Sequence, residues 1–314
     1  MCLVSFSKDE NYSSKKKFDV FNNKQPVWAY IELTDFCSHK CSWCYGDFPS
    51  KDKKYLDTDS LRVVLTKLKE IGIQQLSIGG GEPTEHPDWD EIQSIIGEYE
   101  FKSKHILTHG DNIDVSKFEE AGITSVHINY QGSKRHKAIH KTKYQDQLNG
   151  IDNCKEAGIP ITASITVGKY NLKDLDSIIK ETDDLGFNRV RFWETTGVGV
   201  DFLKDLDVHE IFDECSRVSK KYGYIHSYSY EPWYKDADIN VPCIQVSNLG
   251  MYVDYNGRLK FCGATAKDMF ITDIVNNKSE DVLNSYLEYN KNFSCNNCEA
   301  RNATYKEPDD IRWG

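Results

Sequence analysis

The chain of 314 residues has no run of about eighteen apolar residues, so no helical bilayer span is expected. Its apolar start, Met1 to Phe6, is too short for a signal peptide and gives way to Lys8, Asp9 and Glu10. The expectation is a cytoplasmic protein with no membrane partner. An excess of basic charge is also missing. Lys and Arg number 39 against 49 Asp and Glu, a net charge of −10, and such totals suggest no broad basic face for nucleic acid. A small anionic substrate would need a local basic pocket instead. No long low-complexity tract is present, and no G-x-G-x-x-G spacing. No Gly-Lys-Ser follows the one glycine run, which makes it a poor phosphate cradle. Hydrophobic residues at 39% and aromatics at 12% argue against disorder.

Cysteine, by contrast, is plentiful, with ten in the chain. A reducing setting and metal-bound thiolates account for them better than a secreted disulfide scaffold. Cys37-Ser38-His39-Lys40-Cys41-Ser42-Trp43-Cys44 places three thiols on one short loop directly after a strand-like run, Val27 to Thr34. Thiolates favour iron–sulfur clusters and zinc. A cubane cluster usually takes four cysteines, so three leave one iron open to a ligand that is not protein. Structural zinc wants closed ligation in paired knuckles, which this loop is not.

Short β-branched runs alternate with longer amphipathic stretches, the pattern of βα units and a parallel sheet. Strands are expected at Val27–Thr34, Gln75–Ile78, His105–Thr108, Ser125–Tyr130, Ile161–Val167 and Arg189–Trp193. Asp57 caps a helix through about Ile71, with Leu61, Val64, Leu65 and Leu68 at helical spacing. The fold class is α/β, a partial (β/α)6 barrel whose chemistry belongs at the carboxyl ends of its strands. The cysteine loop and the run Gly79-Gly80-Gly81-Glu82-Pro83 both fall there, and glycines at such a place let backbone approach a ligand closely. Met251 to Phe261 reads as a β-hairpin turning at Asn256-Gly257, with Cys243 before it, Cys262 at its end and Cys295-Asn296-Asn297-Cys298 beyond. Four ligands from three places can close a metal site, either a structural zinc or a cluster.

The cysteine loop resembles the signature of the radical SAM superfamily. The resemblance implies a [4Fe-4S] cluster on Cys37, Cys41 and Cys44 whose open iron chelates S-adenosyl-L-methionine (SAM), with the aromatic before the third cysteine supplied by Trp43. Gly80, Gly81, Glu82 and Pro83 match the family's Gly-Gly-Glu-Pro, which borders the cofactor's methionine amino group. Similarity to anaerobic sulfatase-maturating enzymes adds three candidate contacts. Asn129 stands where those enzymes have a serine, Lys141 where they have an arginine, and Ser164 lies on the fifth strand. Lysine offers a point charge where arginine offers a bidentate fork. The late cysteines resemble the Twitch and SPASM extensions, which implies a second, auxiliary [4Fe-4S] cluster on Cys243, Cys262, Cys295 and Cys298.

On this reading residues 1–24 are a polar extension, 25–205 the radical SAM core and 206–314 a small hairpin-and-helix auxiliary-cluster domain. The activity implied is reductive cleavage of SAM to a 5′-deoxyadenosyl radical, which abstracts hydrogen from a substrate, with flavodoxin or ferredoxin as reductant. An auxiliary cluster favours net oxidation, so oxidative modification or cross-linking of a peptide side chain leads. A dehydrogenase of a small sugar-like or antibiotic intermediate stands as the alternative, and a non-catalytic iron–sulfur protein comes last. Arg189, Arg191, Trp193 and Glu194 face the expected substrate volume. Peptide epimerisation would need a spare thiol, for which Cys154 and Cys215 are candidates, although helix packing accounts for both. Cys2 reads as a terminal thiol.

Overall fold

Ile161-Thr162-Ala163-Ser164-Ile165-Thr166-Val167 alternates apolar residues with hydroxyls, and in a strand the two sets go to opposite faces. The computed structural model describes residues 3–7, 26–39, 41, 43–44, 53–134, 136, 143–194, 208–223, 250–263 and 270–292, and in it that division of apolar from polar faces extends to the neighbouring parallel strands. Cys2, Lys141, Cys243, Cys295 and Cys298 lie outside the described residues, as does the side chain of Glu194.

The strands are β1 (Leu3–Ser7), β2 (Trp28–Glu32), β3 (Gln75–Gly79), β4 (Ser103–Thr108), β5 (Ser125–Asn129), β6 (Ile161–Val167), β7 (Arg189–Glu194), β8 (Gly250–Val253), β9 (Arg258–Lys260) and β10 (Thr272–Asp273). They form one ten-stranded sheet in the order β1-β7-β6-β5-β4-β3-β2-β8-β9-β10. Strands β2 to β7 are parallel neighbours in chain order, the barrel core expected from the βα rhythm. The helices are α1 (Thr58–Ile71), α2 (Trp89–Gly97), α3 (Tyr144–Glu156), α4 (Leu175–Asp184), α5 (Val208–Lys221) and α6 (Ser279–Asn292).

Local sequence accounts for the elements. At the start of α1, Asp57 Oδ1 accepts from Ser60 N–H at 2.9 Å, and Leu61, Val64, Leu65, Leu68 and Ile71 form its buried stripe. The outward residues of the parallel strands, among them Ile31, Ile78, Ile106, Val126, Ala163 and Val190, pack with such stripes into one apolar layer. Asn256-Gly257 turns the hairpin as expected. Gly257 has φ +69°, and a Cβ there would lie 2.4 Å from Val275 Cγ2, so glycine meets both demands.

The structure differs from the sequence expectation at both edges of the sheet. Leu3–Ser7, inside the stretch read as a polar extension, is a strand. It pairs antiparallel with β7, Leu3 opposite Trp193 and Ser7 opposite Arg189, and covers an edge that would otherwise present unpaired backbone. At the other edge β8 runs parallel to β2, Trp28 opposite Gly250 and Ile31 opposite Val253. The described part of the C-terminal unit therefore continues the barrel sheet.

Lys67 of α1 holds this unit down. Its Nζ donates to the carbonyls of Ile274, Val275 and Asn277 at 2.8, 2.6 and 2.5 Å. Replacing Lys67 by Met leaves three carbonyls without that donor and is expected to cost about 3 kcal/mol. Hydrogen exchange should quicken across residues 270–292 ahead of the β2–β7 core; uniform protection would contradict this tie.

Candidate active site

The chain entering the cysteine loop is clamped between two segments. On one side β2 and β3 keep pairing past their ends. Leu33 N–H donates to Gly79 O (2.9 Å), Gly81 N–H to Thr34 O (2.7 Å) and Glu82 N–H to Phe36 O (2.8 Å). On the other, Leu56 N–H donates to Leu33 O (2.8 Å) and Thr34 Oγ1 to Lys54 O (2.8 Å). The glycines make this approach possible. A Cβ on Gly81 would lie 1.9 Å from Phe36 O, and one on Gly80, at φ +136°, would lie 2.7 Å from Thr34 O. The closest approach the run makes is thus to the chain's own cysteine loop. Gly80 N–H donates to Tyr30 Oη (2.9 Å), and the Tyr30 ring stacks on Tyr252 of β8, centroids 4.8 Å apart. Tyr252 Oη in turn donates to Glu32, so the hairpin supports the glycine run through Tyr30.

Glu82 is buried. Its Oε1 accepts from Thr84 Oγ1 (2.7 Å) and Thr108 Oγ1 (2.6 Å), and its Oε2 from His109 N–H (2.8 Å). Burial pushes its carboxyl up, and these donors pull it back. Pro83 starts the short 3-10 turn Pro83–Glu85, which brings the Glu85 carboxylate onto Ser38; Ser38 N–H donates to Oε2 at 2.8 Å, and its hydroxyl also donates to Glu85.

Cys37, Cys41 and Cys44 are partly exposed, and none is in a disulfide. Trp43 is buried and packs against Cys41. Burial, then the Glu82 charge, hold the Cys37 thiol well above its usual range. Burial, then Cys44 and Glu82, push Cys41 up to about 12. Thiols in such surroundings become thiolates in the presence of a strong local cation. Three soft sulfur donors on one partly exposed loop fit an iron–sulfur cluster.

The inward face of the sheet beside this loop is polar, unlike a parallel sheet buried against helices on both sides. Registered neighbours carry Ser77 and His105, His127 and Thr162, Ser164 and Arg191, and Thr166 and Trp193. Arg191 Nη1 donates to His127 Nδ1 at 3.3 Å, and His105 Nδ1 meets Ser125 Oγ at 2.7 Å. Burial first, then Arg191, lowers His105 to about 4 and His127 well below its usual value, so both rings are neutral at pH 7. Ser164 Oγ and Trp193 Nε1 are buried without a hydrogen-bond partner among the described residues.

Asn129 pairs in register with Ser164, and its Oδ1 accepts from Gln131 Nε2 at 2.8 Å. Cys154 and Cys215 lie in the apolar layer between helices and sheet, where helix packing puts them. Sequence reasoning missed Tyr30, Tyr252, Glu85, Thr108, His109 and Asp111. For His109 and Asp111 a signal was present, since both follow the carboxyl end of a parallel strand. Nothing in sequence separation joins Ser38 to Glu85.

A sequence model described as the Radical SAM superfamily matches residues 31–182. PqqA peptide cyclase of Bradyrhizobium diazoefficiens is 29% identical over 175 residues, covering 52% of this chain and 45% of that protein. GTP 3′,8-cyclase of Photorhabdus laumondii is 25% identical over 187 residues, covering 57% and 54%. The chain thus spans about half the length of the curated relatives it matches. Among solved structures, Streptococcus suis SuiB bound to S-adenosylmethionine superposes with a TM-score of 0.70 at 16% identity, covering 92% of this chain and 74% of that one. SuiB bound to its precursor peptide SuiA gives 0.67 at 15%, covering 86% and 67%.

Two outcomes test the geometry. Gly81→Ala forces a methyl group onto Phe36 O and is expected to cost about 3 kcal/mol or more. Iron uptake by the loop should fall with it, and wild-type stability together with wild-type uptake would contradict the clamp. The second concerns pH. His39, lowered to about 4 chiefly by burial, joins His105 and His127 as rings that are neutral when folded and take up protons on unfolding. Stability should therefore be full above about pH 6.5 and decline towards pH 4, by about 1.4 kcal/mol per pH unit for each proton taken up. His105→Gln should lower that slope, measured by denaturant titration of the apo-protein, by about one proton; an unchanged slope would contradict a neutral buried His105.

Proposed function

Residues 31–182 are a radical SAM domain, and from that premise we propose that the chain is an enzyme that oxidatively modifies or cross-links a peptide side chain. Cys37, Cys41 and Cys44 would hold the SAM-binding [4Fe-4S] cluster, with Trp43 and Gly80 to Pro83 beside it. When bound, the cluster and SAM supply an electron and a 5′-deoxyadenosyl radical that takes a hydrogen atom from the substrate.

This chain's own residues orient and enclose. The glycine run fixes the loop, Glu82 joins it to β4, and Ser164, Asn129 and Lys141 are the candidate contacts to the cofactor. The observation that carries the reading is the polar inward face of β3 to β7, which adjoins the cysteine loop while the helices cover the opposite face. A substrate there is shielded from bulk water, which suppresses side reactions. Arg189 and Arg191 give that face the local positive character an acidic chain would need for an anionic substrate group. Cys262, buried at the end of the hairpin, would combine with Cys243, Cys295 and Cys298 in an auxiliary cluster that takes the second electron, residues 206–314 forming that unit. Flavodoxin or ferredoxin would serve as reductant.

A peptide substrate is supported by the peptide cyclase among the relatives and by the precursor peptide bound to SuiB. A small-molecule reading has one observation of its own, the similarity to GTP 3′,8-cyclase. Epimerisation has none, because Cys154 and Cys215 pack towards the helices.

Anaerobic reconstitution, with assay of 5′-deoxyadenosine under strong reductant, tests the reading. The wild type should release it, faster with a cognate peptide, and the Cys37/Cys41/Cys44→Ala triple variant should not. Retained iron and sulfide in the triple variant would support the auxiliary cluster, and zinc alone would overturn it. Stimulation by nucleotides or sugars but not by peptides would favour the small-molecule reading.

A further inference from the structure

We propose that His109 and Asp111, on the segment leaving β4, are positioning residues that hold the cysteine loop through His39 and so fix how Cys37 and Cys41 present their sulfur. The inference rests on the cluster reading above, and goes beyond it in assigning the loop's geometry to residues outside the cysteine motif and the glycine run.

His39 lies between Cys37 and Cys41. Its side chain is 4% exposed, whereas Ser38 beside it is open to solvent and the three thiols are partly so. A polar ring buried inside an otherwise accessible loop has to be compensated there. His39 stacks on His109, ring centroids 3.7 Å apart and planes 14° from parallel. His109 is itself fixed from several directions. Its N–H donates to Glu82 Oε2 (2.8 Å), its carbonyl accepts from Gln147 Nε2 of α3 (2.8 Å), and its ring Nδ1 lies 2.7 Å from Asp111 Oδ1. A carboxylate only accepts, so Nδ1 carries the proton and the tautomer is set. The other Asp111 oxygen stands 3.7 Å from His39 Nε2, so one carboxylate faces both rings. The turn is anchored to α3 a second time, by Asn112 N–H donating to Asp146 O (2.8 Å).

Thr108, the last residue of β4, and His109 after it therefore hold Glu82 of the glycine run, and His109 also holds the cysteine loop. Glu85 grips the neighbouring Ser38. Ser38 and His39 are pinned, and Cys37 and Cys41 flank them.

His39, His109 and Asp111 also have ligand atoms within 4.8 Å of one another, close enough to suggest a divalent cation. Stacked rings argue against one. An ion lying between them would be far out of both ring planes, and imidazole binds a metal along an in-plane lone pair. A clamp satisfies the stacking and a cation site does not.

The test uses the full chain as wild type, Asp111→Ala, Asp111→Asn and His109→Phe, each confirmed as folded by circular dichroism. In the apo-proteins, Asp111→Ala should raise the rate at which iodoacetamide alkylates the three loop thiols by roughly tenfold, as local opening of the loop becomes easier. Asp111→Asn keeps an acceptor for His109 Nδ1–H and should largely rescue it. His109→Phe keeps a stacking ring and should fall between the two. After anaerobic reconstitution, the reduced cluster of Asp111→Ala should give a broadened electron paramagnetic resonance signal with a weakened response to SAM, and that of Asp111→Asn a signal close to wild type. Alkylation rates and spectra matching wild type in both Asp111→Ala and His109→Phe would overturn the proposal. Uptake of one zinc ion per chain by the cysteine triple variant, abolished by adding Asp111→Ala, would replace the clamp with a cation site. Should the wild type assemble no cluster, the functional reading fails, and alkylation of the apo-protein still decides the clamp.

Discussion

Two backbone hydrogen bonds, Gly81 to Thr34 and Glu82 to Phe36, carry the pairing of β2 and β3 beyond the sheet and into the cysteine loop. The rest of the site hangs from that extension. A loop with three thiols has no core of its own to define its shape, so its geometry has to be borrowed from neighbouring backbone. The backbones lie too close for even one methyl group at position 81. The glycines are thus first a requirement of the loop's own support, and what they contribute to a bound ligand follows from where they hold it.

The second constraint is the unequal treatment of the two sheet faces. Outward residues are mostly apolar and vanish into the helix layer, while inward ones include hydroxyls, imidazoles, guanidinium groups and an indole. Hydrophobic burial on one side alone supplies the driving force for the barrel. The inward side is left to be organised by hydrogen bonds, and its Ser164 Oγ and Trp193 Nε1 find none among the described residues. Burial keeps His105 and His127 neutral beside Arg191, so the positive charge on that face is carried by arginine at any pH near neutrality.

Much of this was legible in the sequence because it is local. The Asp57 cap, the Asn256-Gly257 turn and the alternation along Ile161–Val167 each depend on residues a few positions apart. The three-cysteine spacing is likewise a local pattern, and its chemistry follows from ligand type. What stayed hidden depends on long-range pairing. From sequence alone Leu3–Ser7 falls within a polar extension because its partner, β7, lies far along the chain, and the hairpin reads as separate because its parallel partner is β2. The stack of His39 on His109 and the grip of Glu85 on Ser38 also needed coordinates. Each joins residues of unremarkable local sequence that the order of parallel strands brings together.

The central claim is that three loop thiolates leave one iron of a cubane free for the amino and carboxylate groups of S-adenosylmethionine. Electron–nuclear double resonance on the reduced, anaerobically reconstituted protein, with the cofactor labelled with nitrogen-15 at its amino group, reads that bond directly. The account predicts a hyperfine coupling from the labelled nitrogen to the cluster that disappears in Cys41→Ala. A fully reduced cluster with no such coupling at saturating cofactor would contradict it.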